Sequence, residues 1–372
     1  MNKFVTPTAV ARDASVILGN LLTVGNLVSR DKEQIFTGGK VGDTIKVSVS
    51  PVFGDANEFV STTTATNVIQ GEVELKLDKH FYVRVDLTTK QKSLELPDFT
   101  ADVVAPAMRS ISQSIDKYFT SKMQVFRANL TGNVANRPST LLHLAAANQT
   151  LNDALISNSG RVALVDTTVE ASLLQLSEFK SVDFGADKPA GLRDAILRRA
   201  FGFDFYRNAL LGEFDRGDVI GTVQADGGAA KGATTVALKS FTNADGVIKA
   251  GTVFTAAGTA TRYVVVKDAV KATNKATVEV YPALTAAINN EDAITFEAAG
   301  YSNLVYHPSA VAGAIVAPEA LWGGNSAVQS INGISVRVSM DGSINSLSDS
   351  VVFDVMTGCR VIQPNGGALF CG

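Results

Sequence analysis

The chain has 372 residues, of which 46% are hydrophobic and 19% are charged. This composition excludes wholesale disorder. The length is enough for two or three domains, or for one elaborate domain. Lysine and arginine number 33 against 36 aspartate and glutamate, and the resulting net charge of −3 argues against a general polyanion-binding protein. Cys359 and Cys371 are too few for a disulfide scaffold, and three histidines are too few for a histidine-rich metal site.

Residues 1–35 carry apolar side chains near helical spacing, which predicts an arm with one or two short helices. Thr6 and Pro7 stand where a helix cap and a first-turn proline are expected. Arg12 and Asp13 interrupt the apolar stretch, so we expect no secretory signal here. No stretch approaches the roughly 20 apolar residues that a bilayer span needs, and we expect a soluble protein made in a reducing cytoplasm.

Apolar and polar residues alternate in two runs of the next region, over residues 45–49 and 73–87. Strict alternation is typical of half-buried strands. A polar, threonine-rich stretch, residues 54–67, separates the two runs. We therefore predict two strands joined by a long connection, in the manner of a protruding hairpin.

Residues 97–130 have the clearest helical pattern in the chain, with apolar side chains every three or four positions. Pro97 begins the pattern, and Asp102 follows in the early turns, where the helix dipole favours an acid. Pro106 is expected to kink the helix or to reset its start. The pattern predicts a long spine helix.

Residues 138–212 alternate helical and strand patterns, including a predicted helix over residues 192–202, and indicate an α/β region. Residues 213–300 contain short alternating runs about ten residues apart, separated by turn signals. This spacing predicts a small inserted β-barrel.

Residues 301–372 return to mixed structure. We predict a strand, a turn at His307 and Pro308, a helix of small residues and then three closing strands. A turn at Asp341 and Gly342 is expected between the first two of these strands.

No motif for chemistry is found. The chain has no phosphate loop, no dinucleotide fingerprint, no GxSxG elbow and no HExxH. No histidine has an acidic partner at a telling spacing, and we expect His80 to be packed or edge-exposed in a strand. Glu213, Asp215 and Asp218 fit no EF-hand and indicate a solvated domain junction. We expect no enzymatic activity, no cofactor and no metal, and a pair of buried free thiols at the two cysteines.

Several phrases, in order, carry a family resemblance. They are KHFYVRVDLTTKQKSLELPDFTADVVAPAMRSISQSID at 79–116, VIKAGTVFTAAG at 247–258, SNLVYHPSAVAGA at 302–314, and GISVRVSMDGS with VVFDVMTGCRVIQPNGGALF to the end. With the order of elements, they resemble the P22-like coat family of tailed-phage major capsid proteins, which has the HK97 fold. The predicted barrel is shorter than the insertion of the family's namesake, and Ser339 to Ser343 stand where family members often carry an aromatic residue.

The resemblance implies an α+β HK97-like capsid fold with an N-arm, an extended β-hairpin loop, a long spine helix, an axial α/β domain and an inserted small β-barrel. The expected boundaries are 1–35 for the N-terminal arm, 36–92 for the extended loop, 93–137 for the peripheral domain with the spine helix, 138–215 and 301–332 for the two parts of the axial domain, 216–300 for the inserted barrel and 333–372 for the closing strands of the peripheral domain.

The resemblance also implies a major capsid protein that forms hexamers and pentamers of an icosahedral phage head. Expected partners are other copies of the chain, a scaffolding protein, a portal and packaged double-stranded DNA held by weak non-specific contact, with no membrane. The expected location is the virion, after assembly in the cytoplasm of a host bacterium. Expected assembly contacts are Phe4, Arg12, Gly54, Asp55, Glu58 and Phe59.

Two other classes stay open at this point. One is a cellular HK97-fold shell of the encapsulin kind or another self-assembling surface-layer protein, although the inserted barrel and the lack of a signal argue against them. The other is a soluble enzyme or binding module with an inserted domain, which needs a convergent polar site that the sequence does not show.

Overall fold

The computed structural model describes residues 6–38, 44–49, 71–88, 99–138, 140–176, 197, 199–211, 213–219, 221–321, 325–343 and 348–372. The expected contacts Phe4, Gly54, Asp55, Glu58 and Phe59 lie outside these residues, as does most of the helix predicted over 192–202.

The described helices are α1 (Pro7–Leu21), α2 (Glu33–Gly38), α3 (Ala105–Lys122), α4 (Leu141–Asp153) and α5 (Thr167–Leu173). The strands are β1 (Thr44–Ser48), β2 (Glu72–Lys76), β3 (Lys79–Thr88), β4 (Leu130–Thr131), β5 (Arg161–Val165), β6 (Phe203–Arg207), β7 (Glu213–Phe214), β8 (Val223–Ala225), β9 (Thr235–Lys239), β10 (Gly246–Ile248), β11 (Val253–Ala256), β12 (Arg262–Val265), β13 (Ala269–Lys271), β14 (Ala276–Tyr281), β15 (Ala293–Phe296), β16 (Gly300–Tyr301), β17 (Leu304–Tyr306), β18 (Val311–Val316), β19 (Asn325–Ile331), β20 (Ile334–Ser343), β21 (Ser348–Val361) and β22 (Gly367–Phe370).

The chain divides into two compact units. The first comprises the described residues within 1–119 and 311–363, and the second those within 120–310 and 364–372. The division falls inside α3, so the sequence-based domain boundaries, which are finer, stay predictions.

The first unit is built on an antiparallel sheet around the long strand β21. Along one edge, β21 pairs first with β20 and then with β18, and β20 pairs in turn with β19. Strand β3 pairs along the opposite edge of β21. Helix α1 packs on β19 and β20 through Val10, Ala14 and Leu18, all buried. Ser15, also buried, donates its hydroxyl to the carbonyl of Gln329 at 2.9 Å. The apolar face predicted for the N-terminal arm is thus covered by the sheet.

Helix α3 confirms the predicted spine helix in its centre, with different ends. A π-helical turn, Thr100–Val104, precedes α3, and a 3-10 segment, Met123–Asn129, follows it. Pro106 lies in the first turn of α3, directly after the π-helical turn, in agreement with its expected role in resetting the helix. The 18-residue α-helix is shorter than predicted because the pattern continues through helical turns of other types.

The second unit contains a five-stranded sheet in the order β4-β22-β17-β5-β6. Helices α4 and α5 cover it, and their apolar residues share one core with the strands. All five residues of β5 are buried, which agrees with the continuous apolar run of its last four residues after Arg161. The predicted order of helices and strands is confirmed for α4, β5, α5 and β6. The helix predicted over residues 192–202 is wrong at its described end, because Ala200 forms a bridge with Phe203 and residues 201 and 202 form a turn.

A closed six-stranded barrel forms the other part of the second unit, in the order β11-β12-β14-β9-β8-β15. Its interior is filled by alternate strand residues, which are Val223, Val236, Leu238, Phe254, Tyr263, Val265, Val278, Val280 and Ile294. The chain enters through β7 and leaves through β16, and these two strands pair with each other. Five of the six barrel strands coincide with runs predicted from sequence alternation.

The small-residue helix predicted after Pro308 is wrong, because residues 311–316 form the buried strand β18. Gly313 shows the reason for the small side chains. A Cβ at this position would lie 2.8 Å from Val28 and 3.0 Å from Phe119. The small residues permit close approach of the arm and the spine helix and do not reflect helix propensity.

Two strand predictions also need correction. The run predicted over residues 73–87 as one strand is two strands, because Leu77 and Asp78 interrupt it between β2 and β3. Only β2 pairs with β1, whereas β3 pairs with β21. At the C-terminus, Asp341 and Gly342 lie within β20 and do not form a turn. The second and third predicted closing strands, residues 349–358 and 359–370, divide after Gly358, but β21 continues through this residue, and β19 was not predicted.

Candidate assembly interface

The described base of the predicted extended loop is a short antiparallel pair, which we call the loop foot (β1 and β2). Ile45 pairs with Leu75 and Val47 with Val73 in the register. Ile45, Val47 and Leu75 are buried, whereas Lys46 is exposed and pairs with the exposed Glu72 at 2.9 Å. An exposed ion pair of this kind contributes little, so the apolar face is what holds the foot.

The loop foot is fixed to the first unit by its apolar face. Ile45, Val47 and Leu75 form a core cluster with Ala312, Ala314 and Val316 of β18. Phe36 of α2 and Leu77 pack against the same cluster. Residues 49–71, which connect β1 to β2 and include the predicted contacts Gly54, Asp55, Glu58 and Phe59, therefore leave from an anchored base.

A backbone contact makes this attachment close. A Cβ on Gly358 of β21 would lie 2.2 Å from the carbonyl oxygen of Lys76 and 3.2 Å from the nitrogen of Leu77. Only glycine therefore fits at this point without a shift of β21 or of the segment around Lys76 and Leu77. Gly358 was predicted to end a strand, but a glycine inside an alternating strand pattern is also the signal of a close backbone approach.

The spine helix also holds the corner between β2 and β3. The hydroxyl of Tyr118 donates a hydrogen bond to the carboxylate of Asp78. Burial raises the pKa of Tyr118 well above its usual value, and the bond to Asp78 raises it further. The Tyr118 ring meets Phe81 edge-on at 6.3 Å between centroids. The loop foot and β3 are thus both tied to α3.

The turn after α1 is held by a buried carboxylate of α3. Asp116 accepts hydrogen bonds from the backbone nitrogens of Thr23 at 2.9 Å and Gly25 at 3.0 Å. Burial raises the pKa of Asp116, while these bonds oppose the rise. The arm is therefore joined to α3 by charge-assisted bonds, which are among the stronger hydrogen bonds in proteins.

Arg12 is the one predicted contact residue that the structure describes. It lies on the exposed side of α1, beside the exposed Asp13. Val16, on the same helix, is 41% exposed. The structure thus places Arg12 on a free surface of the arm within this single chain, and its contact with a neighbour stays a prediction.

His80 has an acidic partner that its sequence spacing did not show. Its Nε2 lies 2.8 Å from a carboxylate oxygen of Asp354, whose side chain is buried. Arg337 donates through Nε to the other oxygen at 2.9 Å. This cluster links β3, β20 and β21, and its residues are distant in sequence but adjacent in register.

A buried arginine holds the junction at β7 and β16, where the chain enters and leaves the barrel. The guanidinium of Arg127 stacks on Phe214 at 4.1 Å and donates to the Ser302 hydroxyl at 3.2 Å. Burial lowers the pKa of Arg127 to about 10. Asp215 and Asp218, beside this junction, are exposed, and Asp215 pairs with Lys249, in agreement with the solvated junction predicted for them.

Exposed apolar side chains mark two further surfaces of the second unit. Val247 and Val270 are cross-strand partners in the β10–β13 ribbon and are 36% and 73% exposed. Leu142 and Leu155, near the two ends of α4, are 72% and 93% exposed. Single exposed apolar side chains are normal on protein surfaces, so these positions do not by themselves mark a contact surface.

Among the described residues, no group of histidine, cysteine, aspartate and glutamate side chains is arranged to hold a metal ion. Cys359 and Cys371 are both buried and form no disulfide, and burial raises the pKa of Cys371 to about 12. Within the same residues no helix is long and apolar enough to cross a membrane.

Comparison with known proteins gives matches in structure only. No protein-family model matches the chain, and no curated protein does. A structure titled "Mycobacterium phage Che8" matches with a TM-score of 0.55 and 16% identity, over 94% of this chain and 90% of that chain. The structure titled "Capsid of empty GTA particle computed with C5 symmetry" has a TM-score of 0.48 and 9% identity, over 100% and 95% of the two chains. The capsid structure of the cyanophage P-SCSP1u has a TM-score of 0.47 and 10% identity, over 88% and 83%.

The similarity to the mycobacteriophage structure extends over nearly the whole of both chains. It supports the HK97-like capsid fold that the sequence predicts. At this identity it shows the fold alone, and the P22-like family stays a prediction.

Proposed function

We propose that this chain is a major capsid protein that assembles into the icosahedral head of a tailed phage. The observation that carries the proposal is the fold shared with a phage structure over 94% of the chain. The anchored loop foot, from which a 23-residue connection leaves and returns, supports it. A long connection on a fixed base suits a contact with a neighbouring subunit.

In this proposal, copies join as hexamers and pentamers around packaged double-stranded DNA. The near-neutral charge suits a container, because strong basic patches would hold the DNA and resist its movement. A scaffolding protein and a portal are the further partners, and the chain acts without catalysis. Many weak identical contacts then sum to a stable closed shell and remain reversible enough to correct errors.

Electron microscopy of the purified protein tests this proposal. The protein is expressed alone and together with its neighbouring genes, and particles are stained and tested for nuclease-protected DNA. Closed particles of uniform diameter are expected, with DNA only when the packaging genes are present. Particles that enclose protein cargo and never DNA would favour a cellular shell instead.

A further inference from the structure

A polar cavity of about 550 Å³ lies beside the arm, between the turn that follows α1 and the hairpin that joins β19 to β20. Ser29, Arg30 and Glu33 line it from the arm, and Asn332 and Ser335 line it from the hairpin. The cavity lies entirely within the first unit. It gives a buried ionisable side chain a route to water.

Glu33 is that side chain. Its side chain is only 9% exposed, and its carboxyl group faces the backbone nitrogen of Ile315 in β18. The nearest cation, Nη1 of Arg30, is 3.9 Å away, too far for a hydrogen bond. This Nη1 is itself buried and has no hydrogen-bond partner. The carboxyl group is therefore buried without a close ion-pair partner, and burial without such a partner favours its neutral form.

The electrostatic balance agrees with this geometry. Burial raises the pKa of Glu33 to about 7, and Arg30 and the Ile315 nitrogen only partly oppose the rise. The charged side chains that line the cavity are Arg30, Asp31 and Glu33. The β19–β20 hairpin contributes only uncharged groups to its lining, and β18 meets the Glu33 carboxyl group through a backbone nitrogen.

The position of Glu33 gives its protonation a mechanical consequence. Glu33 is the first residue of α2, and Phe36 of the same helix packs into the core cluster of the loop foot. A change in the contact of the Glu33 carboxyl group with β18 therefore acts on α2, the helix that precedes β1 of the loop foot.

We propose that Glu33 is a protonation-controlled latch between α2 and β18. In its neutral form the carboxyl group stays buried on the Ile315 nitrogen, and α2 and the loop foot are held. In its ionised form the carboxylate turns into the cavity, where water solvates it, and α2 is released from β18. The latch is a property of the folded subunit, and only its effect on shell assembly rests on the proposed function.

Hydrogen exchange of the full-length subunit tests the latch. Protection of peptides covering α2 and β18 is measured at about pH 5.5 and pH 8.5 and corrected for the intrinsic pH dependence of exchange. With a carboxyl pKa near 7 when held and 4.5 when released, linkage gives a fall of about 30-fold in the ratio of held to released forms. Glu33→Gln should show equal protection at both pH values. Asp31→Asn, at the rim of the same cavity, is the matched control and should behave as the wild type does.

A second variant separates a latch from a merely structural role. Arg30→Gln removes the cation that favours the ionised carboxylate, so the wild-type transition should move to higher pH. Wild-type protection that does not change with pH would overturn the proposal. An unchanged pH dependence in Glu33→Gln, or a transition that Arg30→Gln leaves in place, would do the same. If either variant fails to fold, the wild-type pH profile still decides.

Discussion

Gly358 is the residue on which the attachment of the loop foot depends most sharply. We predict that Gly358→Ala destabilises the subunit, because its Cβ would meet the carbonyl oxygen of Lys76 at 2.2 Å and neither strand has a flexible side chain to move aside. The cost should be about 1–3 kcal/mol, as for other overpacked sites. Urea unfolding followed by circular dichroism measures it.

Gly71 supplies the matched control. It also lies beside the foot, but a Cβ there would meet its nearest neighbour, Val49, at an ordinary 3.7 Å. Gly71→Ala should leave the unfolding midpoint within experimental error. Equal effects of the two substitutions would show that close approach at Gly358 is not the cause.

The Tyr118 hydroxyl makes a separate, polar contribution to the same corner. Tyr118→Phe keeps the ring contact with Phe81 but removes the donor to Asp78. We expect a loss of about 1–2 kcal/mol in the free energy of unfolding, because the buried corner loses a bond to a charged acceptor. The control is Tyr82→Phe, since Tyr82 is 68% exposed and a surface change should cost less than about 0.5 kcal/mol. A Tyr118→Phe variant as stable as this control would contradict the assigned role.

Glu33 predicts how the stability of the whole chain depends on pH. Its pKa is about 7 in the folded state against 4.5 as the ordinary value. A raised pKa means that the stabilisation is complete below pH 4.5 and is lost as the pH rises through 7. The free energy of unfolding should therefore fall by at most about 3 kcal/mol over this window. Denaturant titrations at several pH values should show the fall in the wild type and not in Glu33→Gln.

Among the elements, the loop foot is attached to β18 by apolar packing. The free energy that this packing contributes can be measured by truncating one of its side chains. Leu75 is fully buried in the cluster that joins the foot to β18. Leu75→Ala should cost about 2–5 kcal/mol, as truncations of buried leucines do, and should raise hydrogen exchange in β1 and β2 before any change in the barrel. Val270→Ala, at a 73% exposed position, should change neither measurement.

Elements with a strong local pattern were predictable from the sequence. The alternation of the barrel strands and the three-to-four spacing of α3 reflect side chains that face one core. Residues 311–316 were mistaken for a helix because their small side chains answer to neighbours distant in sequence, Val28 and Phe119. The break at Asp78 was missed for a similar reason, because its partner Tyr118 is 40 residues away.

The candidate site was predictable only as a region. Alternating runs around a long polar connection located the extended loop, but they could not identify what anchors it. Gly358, Asp116 and the pair of His80 with Asp354 depend on tertiary neighbours that leave no local pattern. Of the predicted contact residues, the structure describes Arg12 alone, on an exposed face.

For the molecule as a whole, we predict that substitutions can impair assembly without impairing folding. Reversing the charges of Asp55 and Glu58 to lysine should impair particle formation, because these residues are predicted to lie at a subunit contact at the tip of the extended loop. The subunit should stay folded, as judged by an unchanged thermal midpoint. A matched double substitution on the barrel surface, Asp245→Lys with Glu291→Lys, keeps the same charge change away from the loop. Normal particles from the loop variant would remove the loop from the interface.

Sedimentation velocity of the protein expressed with its neighbouring genes shows whether the chain forms a closed shell. A shell-forming protein should sediment as one narrow, very fast species that contains most of the chain, with little material between subunit and particle. A chain that remains a slow monomer both alone and with these partners, while correctly folded, would contradict the proposal that it forms a capsid.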